Sequence, residues 1–384
     1  MNMFPENLKS KLELRMLTQS FRELPKESNL FDFSSNDYLG FSKSDLIFDE
    51  THQYLIDNNL KSNGATGSRL ISGNHKLYET TENLIAKFHQ TETALIFNSG
   101  YDANVGFFGS VPQRNDIILF DELCHASIRD GILLSNAKSY KFNHNDFLDL
   151  EELIIKFESQ TSQKITFYIV TESVFSMDGD CPNLEELIKV SEKHNCLLVI
   201  DEAHSLGVFG ESGQGLVQEY QIQNRIFARI VTFGKGLGCH GAAVLGGQNL
   251  KDYLVNFARS FIYSTGLSPH SVATIFIAYN HLIKDKTQVQ KLKENIIYFN
   301  QQKNLLGLKP LFVRSKSAIQ SAIIPGNEKV KQIAEIIQEN GFNVKAILSP
   351  TVPEGQERLR VCLHSYDDKK NIDAILNVLL QSVY

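Results

Sequence analysis

The pattern of polar and apolar positions predicts an α/β domain in the middle of this chain. Between about residues 94 and 247, short apolar runs rich in Ile, Val and Phe alternate with longer amphipathic stretches. Strands that are apolar on both faces, and far enough apart for a helix between them, are typical of a parallel sheet covered on both sides. The runs are ALIFN (94–98), DIILFD (116–121), ITFYIVTES (165–173), LLVID (197–201), RIVTF (229–233) and GAAVLGG (241–247).

The two ends of the chain follow other patterns. Leucines recur near helical spacing over residues 6–24, which predicts an amphipathic helix, and a short strand over 30–34 leads into the Asn36–Gly40 turn. Near the other end, the pattern predicts a helix over 327–340, strands in FNVKAIL and ERLRVCLH, and a final helix that Ser365 would cap.

These changes of pattern predict the domain organisation. We expect a large α/β domain with a mostly parallel central sheet over residues 41–280, and a smaller α+β domain over residues 281–384. Residues 1–40 form an N-terminal segment that we expect to pack with the smaller domain.

Composition excludes several classes of protein. Apolar residues make up 42% of the chain and charged residues 21%, as in an ordinary globular protein, and the net charge of -6 argues against nucleic-acid binding. Five cysteines without a C-x-x-C pair suit a reducing compartment. The first residues have no signal-peptide pattern, and no apolar run approaches the roughly 18 residues of a membrane span. We therefore expect a cytoplasmic protein that binds neither nucleic acid nor membrane.

Two motifs resemble known sites but lack the context that those sites need. LLVIDEAH (197–204) resembles the DEAH box of a helicase, but no phosphate-binding P-loop precedes it, and the Gly234–Lys235 pair follows the carboxylates instead. Residues 236–241 match G-x-G-x-x-G, but the next residues continue as an apolar strand rather than the helix that a dinucleotide site requires.

A lysine and an aspartate at strand ends point to a different chemistry. Asp201 ends one buried strand and Lys235 lies just past another, so both would emerge at the carboxyl edge of a parallel sheet, where ligands bind. A buried lysine can form a Schiff base, and a carboxylate can keep a pyridinium nitrogen protonated, as pyridoxal phosphate (PLP) requires. From these two residues alone, a structural ion pair is an equally good interpretation.

Other strand ends carry polar groups as well. Asn98–Tyr101 opens a predicted helix whose free N–H groups could bind a phosphate, although a plain helix cap explains it too. His125 could stack on a pyridine ring or be a polar loop residue, and 171–179 could contribute hydroxyls or form only a turn. The histidines and cysteines show no metal-ligand spacing, so we expect no metal site.

Taken together, the motifs resemble those of the α-oxoamine synthases, fold-type I PLP-dependent transferases that join an amino acid to an acyl thioester with loss of carbon dioxide. The resemblance runs from residue 33 to the final helix. The matching segments are FSSNDYLG, SGYDAN, CHAS, FNHND, TESVFSMDGD, DEAHSLGVFGESGQG, VTFGKGLG, GAAVLGG, FARSFIYST and PTVPEGQERLR.

The resemblance implies a role for each matching residue. As catalytic residues it implies Lys235, which would form the Schiff base, Asp201, which would pair with the pyridine nitrogen, and His125, which would stack on the ring. Ser176 and His204 would hydrogen-bond near the phenolic oxygen of the cofactor. The residues implied in phosphate binding are Gly100, Tyr101, Thr232 and, from a neighbouring subunit, Thr265. The residues implied in substrate binding are Arg22, Asn36, Thr351 and Arg360.

The resemblance also implies substrates and an assembly. It implies a homodimer that condenses L-alanine with a pimeloyl thioester, and it leaves open whether coenzyme A or acyl carrier protein carries the acyl group. Glycine with an acetyl group and serine with a palmitoyl group are the alternative substrate pairs. A catalytically idle binding protein of the same fold is a further alternative, but it would not be expected to retain both Lys235 and Arg360.

Overall fold

The computed structural model describes residues 4–18, 20–24, 29–160 and 165–384. The chain divides into two compact units. Unit 1 comprises residues 1–35, 177–179 and 294–384, and unit 2 comprises residues 36–176 and 180–293. The division into domains at residues 40 and 280 remains a prediction from the sequence.

Unit 2 contains a seven-stranded sheet in the order β2-β8-β7-β6-β5-β3-β4, numbered along the chain. The sheet is parallel except for β8, which pairs antiparallel with both β2 and β7. The predicted α/β fold with a mostly parallel sheet is therefore confirmed. The strands are β2 (Thr93–Phe97), β3 (Ile117–Asp121), β4 (Lys138–Phe142), β5 (Phe167–Glu172), β6 (Leu197–Asp201), β7 (Ala228–Thr232) and β8 (Ala242–Gly246).

Helices flank this sheet, and side-chain caps begin several of them. Ser99, Asp146 and Asn183 accept hydrogen bonds from first-turn N–H groups at the starts of α4, α6 and α7. The helices within unit 2 are α2 (Asp45–Asp57), α3 (Lys76–Phe88), α4 (Gly100–Phe108), α5 (Ala126–Leu133), α6 (Phe147–Glu158), α7 (Leu184–Lys193), α8 (Leu216–Glu219), α9 (Gln248–Phe257), α10 (Arg259–Ile262) and α11 (Pro269–Lys284).

The core of unit 2 explains why the central strands are apolar on both faces. Ile118, Val199 and Ile230 are fully buried, and they pack in one cluster with Phe107 of α4 and Ile128 of α5. Each of these strands therefore removes nearly all of its side chains from water, and the resulting hydrophobic stabilisation grows with the apolar area buried.

Unit 1 is built around a three-stranded antiparallel sheet in the order β11-β12-β9. A separate parallel pair joins β1 to β10. The strands are β1 (Phe31–Asp32), β9 (Ile319–Ile323), β10 (Phe342–Asn343), β11 (Lys345–Ile347) and β12 (Arg358–Cys362). The helices are α1 (Glu6–Leu17), α13 (Asn327–Glu339) and α14 (Lys369–Val383), and α12 (Thr287–Leu305) contains the boundary between the units.

Two predictions for the chain ends were wrong in detail. The first helix ends at Leu17 rather than near residue 24, and none of its residues is buried, so it is not an amphipathic helix packed by its leucines. The final helix begins at Lys369, and its N-cap is Asp368, whose side chain accepts from the Lys370 N–H. Ser365 lies one turn earlier, too far from the helix start to cap it.

The part of the chain that the structure describes contains no helix with the length and hydropathy of a bilayer-crossing segment.

Candidate active site

Four strands of unit 2 bring polar side chains to the carboxyl edge of the sheet. Asp201 is the last residue of β6, and its register partner on β5 is Glu172. Thr232 ends the neighbouring strand β7, and the chain reaches Lys235 three residues later. His125 follows β3 and begins α5 as its N-cap. Parallel pairing therefore collects at one edge groups that are far apart in the sequence.

Lys235 lies in a tight turn that needs the glycine beside it. A Cβ on Gly236 would lie 2.2 Å from the Leu206 carbonyl oxygen, so no larger residue fits without a shift of the backbone. In this turn, Lys235 Nζ lies 2.8 Å from His204 Nε2. The close backbone approach thus places the lysine amine against the imidazole of the DEAH segment.

A chain of hydrogen bonds continues from Lys235 through His204. The buried Tyr38 hydroxyl lies 2.7 Å from His204 Nδ1 and donates to Asn36 Oδ1 at 3.1 Å. The Tyr38 hydroxyl thus lies within hydrogen-bond distance of both Asn36 and His204, and the His204 ring lies between Tyr38 and Lys235. Asn36 and Tyr38 therefore belong to the hydrogen-bond network that orients the histidine ring.

A second network joins Asp201 to His125. Asn104 of α4 donates to Asp201 Oδ2 at 2.8 Å and to Ser127 Oγ at 3.0 Å, and the Ser127 hydroxyl lies 2.8 Å from His125 Nδ1. The Ala203 N–H donates to the other Asp201 oxygen at 2.8 Å. The Asp201 carboxylate is therefore buried, and two donors orient it. Such an arrangement suits a carboxylate that faces a cationic ring nitrogen.

Glu172 adds a second buried carboxyl group beside Asp201. Burial, and then the charge of Asp201, raises the pKa of Glu172 to about 8, so its neutral form predominates at pH 7. Its Oε1 accepts from the His125 backbone N–H at 2.6 Å. Burial lowers the pKa of His125, which favours the neutral imidazole, the form that stacks on an aromatic ring without a charge to desolvate.

The start of α4 forms a narrow cradle against the end of β7. A Cβ on Gly100 would lie 2.5 Å from Thr232 Oγ1, so the bare backbone is what allows the helix start to approach this threonine. First-turn N–H groups have no partner within the helix and favour anions. The Tyr101 side chain is half exposed, and its hydroxyl donates to Asp130.

The structure also locates the remaining predicted residues. Ser176 follows the buried Phe175 in the loop after β5. Thr265 is exposed, and its carbonyl oxygen accepts from Asn98 of the same chain at 2.7 Å. In unit 1, Arg22 donates to the Thr351 hydroxyl at 3.3 Å, so these two are brought together. Arg360 is buried on β12, where its Nη1 donates to Cys362 Sγ at 2.9 Å.

Sequence reasoning did not assign Asn104, Ser127 or Tyr38 to the site. All three lie in motifs that were singled out, SGYDAN, CHAS and FSSNDYLG, but the pattern of those motifs does not tell which polar residue points inward. Asn104 lies one helical turn after Gly100, the spacing that places two residues on the same helix face. That spacing is the signal that could have found it.

Comparison with known proteins now decides the family. The model of "Aminotransferase class I and II" matches residues 28–379. The chain belongs to this family. It is 40% identical over 374 residues to the 8-amino-7-oxononanoate synthase of Emericella nidulans, with 92% of this chain and 89% of that protein covered.

Solved structures agree with this assignment. The 8-amino-7-oxononanoate synthase of Francisella tularensis matches 93% of this chain and 98% of its own, with a TM-score of 0.78 and 28% identity. A serine palmitoyltransferase (SPT) carrying a PLP internal aldimine matches 98% of this chain and 96% of its own, with a TM-score of 0.87 and 22% identity. The resemblance to the α-oxoamine synthases is confirmed, and the chain is a PLP-dependent acyltransferase.

The predicted cofactor, pyridoxal 5'-phosphate, is likewise confirmed, and the residues of unit 2 fit it. Gly100 lets a helix start, where N–H groups favour a phosphate, approach Thr232, while Lys235 supplies an amine and Asp201 supplies an oriented carboxylate. When bound, PLP acts as an electron sink for the carbanion that forms at the α-carbon of an amino acid.

The chain's own groups are suited to moving protons at that α-carbon. Lys235 is one such group, since an amine that carries no proton charge can act as a base, and its Nζ lies 2.8 Å from His204 Nε2.

Proposed function

We propose that this enzyme is an 8-amino-7-oxononanoate synthase, which condenses L-alanine with a pimeloyl thioester and releases carbon dioxide and the free thiol. The observation that carries the proposal is the 40% identity, over nearly the whole chain, to a protein of that name. The solved structure with that name is also more similar in sequence than the serine palmitoyltransferase structures, at 28% against 22–25%.

In this reaction, Lys235 has two tasks at a single carbon. Its amine removes the α-proton of alanine, and after carbon dioxide has left, it returns a proton to the same carbon. His204 Nε2, at 2.8 Å, accepts a hydrogen bond from the amine and so orients its lone pair. His125 would stack on the cofactor ring, and Asp201 would pair with its protonated nitrogen.

The substrate residues in this proposal are Arg360, Arg22, Thr351 and Asn36. The Arg360 guanidinium would bind the alanine carboxylate through two parallel hydrogen bonds, a geometry that lysine cannot reproduce. Arg22 and Thr351, which lie 3.3 Å apart at their polar atoms, would contact the acyl substrate. Asn36 would act at the amino-acid side, through the Tyr38 hydroxyl that it accepts from.

A substrate panel tests this proposal. Alanine with pimeloyl-CoA, glycine with acetyl-CoA and serine with palmitoyl-CoA are compared by thiol release. We expect the first pair to have the highest kcat/KM by at least about tenfold, roughly 1.4 kcal/mol of transition-state discrimination. A win for glycine with acetyl-CoA would make the enzyme a glycine C-acetyltransferase, and a win for serine with palmitoyl-CoA would make it an SPT.

The amino-acid half has its own test. Arg360→Lys should raise the alanine KM by more than about tenfold, because a single ammonium replaces a bidentate grip. The absorption spectrum of bound PLP should not change in this variant. Arg314→Lys, at an exposed position of the same unit, is the matched control and should leave the KM as it is.

We further propose the setting in which the enzyme works. It would be a cytoplasmic homodimer in which Thr265 reaches the cofactor phosphate of the neighbouring subunit. Both pimeloyl-CoA and pimeloyl-acyl carrier protein are candidate donors, and thiol release from each measures the preference.

A further inference from the structure

A histidine outside the cofactor site lies between two carboxylates. His144, which follows β4, has its Nδ1 2.9 Å from Asp121 Oδ1 and its Nε2 2.8 Å from Asp180 Oδ2. Asp121 ends β3, and Asp180 lies in the loop after β5. The His144 imidazole therefore connects, through hydrogen bonds, the ends of three neighbouring strands, β3, β4 and β5.

The imidazole is charged in this position. Although its burial opposes the charged form, the hydrogen bonds to Asp121 and Asp180 and their charges together raise the pKa of His144 to about 10. Both ring nitrogens are therefore donors at pH 7, and both hydrogen bonds are charge-assisted, the stronger class.

The same cluster holds the residue before Ser176. The Phe175 N–H donates to the Asp180 carbonyl oxygen at 3.0 Å, and the Phe175 ring packs edge-on against the His144 imidazole, with ring centres 4.5 Å apart at 87°. Phe175 is buried, so both its backbone and its side chain are fixed by the group that His144 organises.

The residues between Ser176 and Asp180 are anchored as well. The Met177 carbonyl oxygen accepts from Ser321 Oγ at 2.6 Å, and the Gly179 carbonyl oxygen accepts from Ser315 Oγ at 2.8 Å. These contacts belong to unit 1, whereas Ser176 and Asp180 belong to unit 2. Within unit 2, the contacts of Phe175 and Asp180 with His144 are therefore the ones that support the residue before Ser176.

We infer that His144 is a positioning residue, which acts through Asp180 and Phe175 to place the Ser176 hydroxyl against the cofactor. The inference rests on the proposed role of Ser176 at the phenolic oxygen. A hydroxyl that must meet a fixed oxygen loses its hydrogen bond after a displacement of about 1 Å, so the support beneath it affects the reaction.

The chain offers a matched control. His194 also lies between two carboxylates, with Nε2 2.9 Å from Glu151 and Nδ1 3.4 Å from Glu158. It follows α7, and no residue of its cluster is one that we place at the cofactor. His144→Gln and His194→Gln therefore remove the same kind of ion cluster, but only the first lies next to Ser176.

The first experiment measures amide hydrogen exchange in the apoprotein, so it depends on neither cofactor nor substrate. Glutamine carries no charge and cannot donate at both ends as the imidazolium does. We expect the Phe175 amide to exchange at least about tenfold faster in His144→Gln, and to be unchanged in His194→Gln. Unchanged exchange in His144→Gln would overturn the inference.

The second experiment is a double-mutant cycle in the PLP-loaded enzyme. Ser176→Ala and His144→Gln should each lower kcat by about tenfold, and the double variant should be only about tenfold slower as well, because both remove the same contact. Each of the three should shift the pH titration of the PLP absorption band in the same direction. A roughly hundredfold loss in the double variant, the product of two independent effects, would contradict the inference.

The tests depend neither on the proposed substrates nor on the folding of a single variant. The absorption titration needs no substrate, so it stands even if the alanine–pimeloyl pair is wrong, and the kinetics can use whichever pair the panel selects. If His144→Gln does not fold, Asp180→Asn replaces it in both experiments, since it removes the charge on the Phe175 side. If neither variant folds, the cluster supports the whole unit rather than Ser176, and the inference fails.

Discussion

The amine of Lys235 is predicted to carry the cofactor. We expect Lys235→Ala to lose the visible absorption of bound PLP and all measurable activity, because alanine can neither form the Schiff base nor move the α-proton. Lys193→Ala is the control, since that lysine pairs with Glu151 at the surface. Borohydride reduction followed by peptide mapping checks the assignment, and a reduced adduct on another lysine would contradict it.

Asp201 supplies a negative charge that the neutral amide cannot replace. Asp201→Asn should fold and bind PLP but lose activity by about hundredfold or more, because the pyridine nitrogen is no longer held protonated. Folding should survive because an asparagine oxygen can still accept from the Ala203 N–H. Asp146→Asn, a cap that asparagine serves equally well, is the control. Steady-state kinetics decide, and near-normal turnover would make Asp201 a structural residue only.

The packing of helix α4 against strand β7 leads to a prediction about cofactor affinity. In Gly100→Ala, the new Cβ would lie 2.5 Å from Thr232 Oγ1, so the helix start must move away from the phosphate position. We expect the PLP dissociation constant to rise by about tenfold or more, measured by fluorescence titration of the apoprotein. Gly64→Ala, where a Cβ meets nothing within 4 Å, should bind PLP normally.

The loops after β3, β4 and β5 meet at the positively charged imidazole of His144. Loss of this charge should lower the free energy of unfolding in a pH-dependent way. The pKa of His144 is raised from an ordinary 6.5 to about 10, so its contribution to stability is fully present below about pH 6.5 and is lost as the pH rises through 10. The urea midpoint of the wild type should therefore exceed that of His144→Gln most at pH 6 and least above pH 10. A difference that does not change with pH would contradict the assigned charge.

Secondary-structure elements differed in how far the sequence predicted them. The buried strands β3, β5, β6 and β7 were predicted within one or two residues at most of their ends because both of their faces are apolar. Strand β4, KSYKF, was missed, since it lies at the sheet edge with four of its five residues exposed and has no apolar run. Edge position is a property of the sheet, so local sequence does not carry it.

A test of the proposed homodimer asks whether Thr265 of one subunit completes the active site of the other. If Thr265 serves the neighbouring site, a hybrid of one Lys235→Ala chain and one Thr265→Arg chain has one intact site, although each homodimer alone is inactive. We expect mixing and refolding to restore activity, and sedimentation to show a dimer at assay concentration. No recovery would place Thr265 in its own chain's site, where it already contacts Asn98 through its backbone.

The sequence by itself determined the fold class and the family, and it predicted which residues carry the chemistry. Buried parallel strands must be apolar on both faces, so they can be recognised from local sequence. Asp201 and the glycine-flanked Lys235 stand out because they follow such strands directly. The tertiary structure decided which side chains meet. Only the strand order placed Glu172 beside Asp201, and only the packing of α4 aimed Asn104 at that carboxylate. Tyr38 at His204 and Asp180 at His144 likewise join residues that are distant in the chain. Local periodicity reports which face of an element is apolar, whereas such contacts depend on how separate elements are arranged in space.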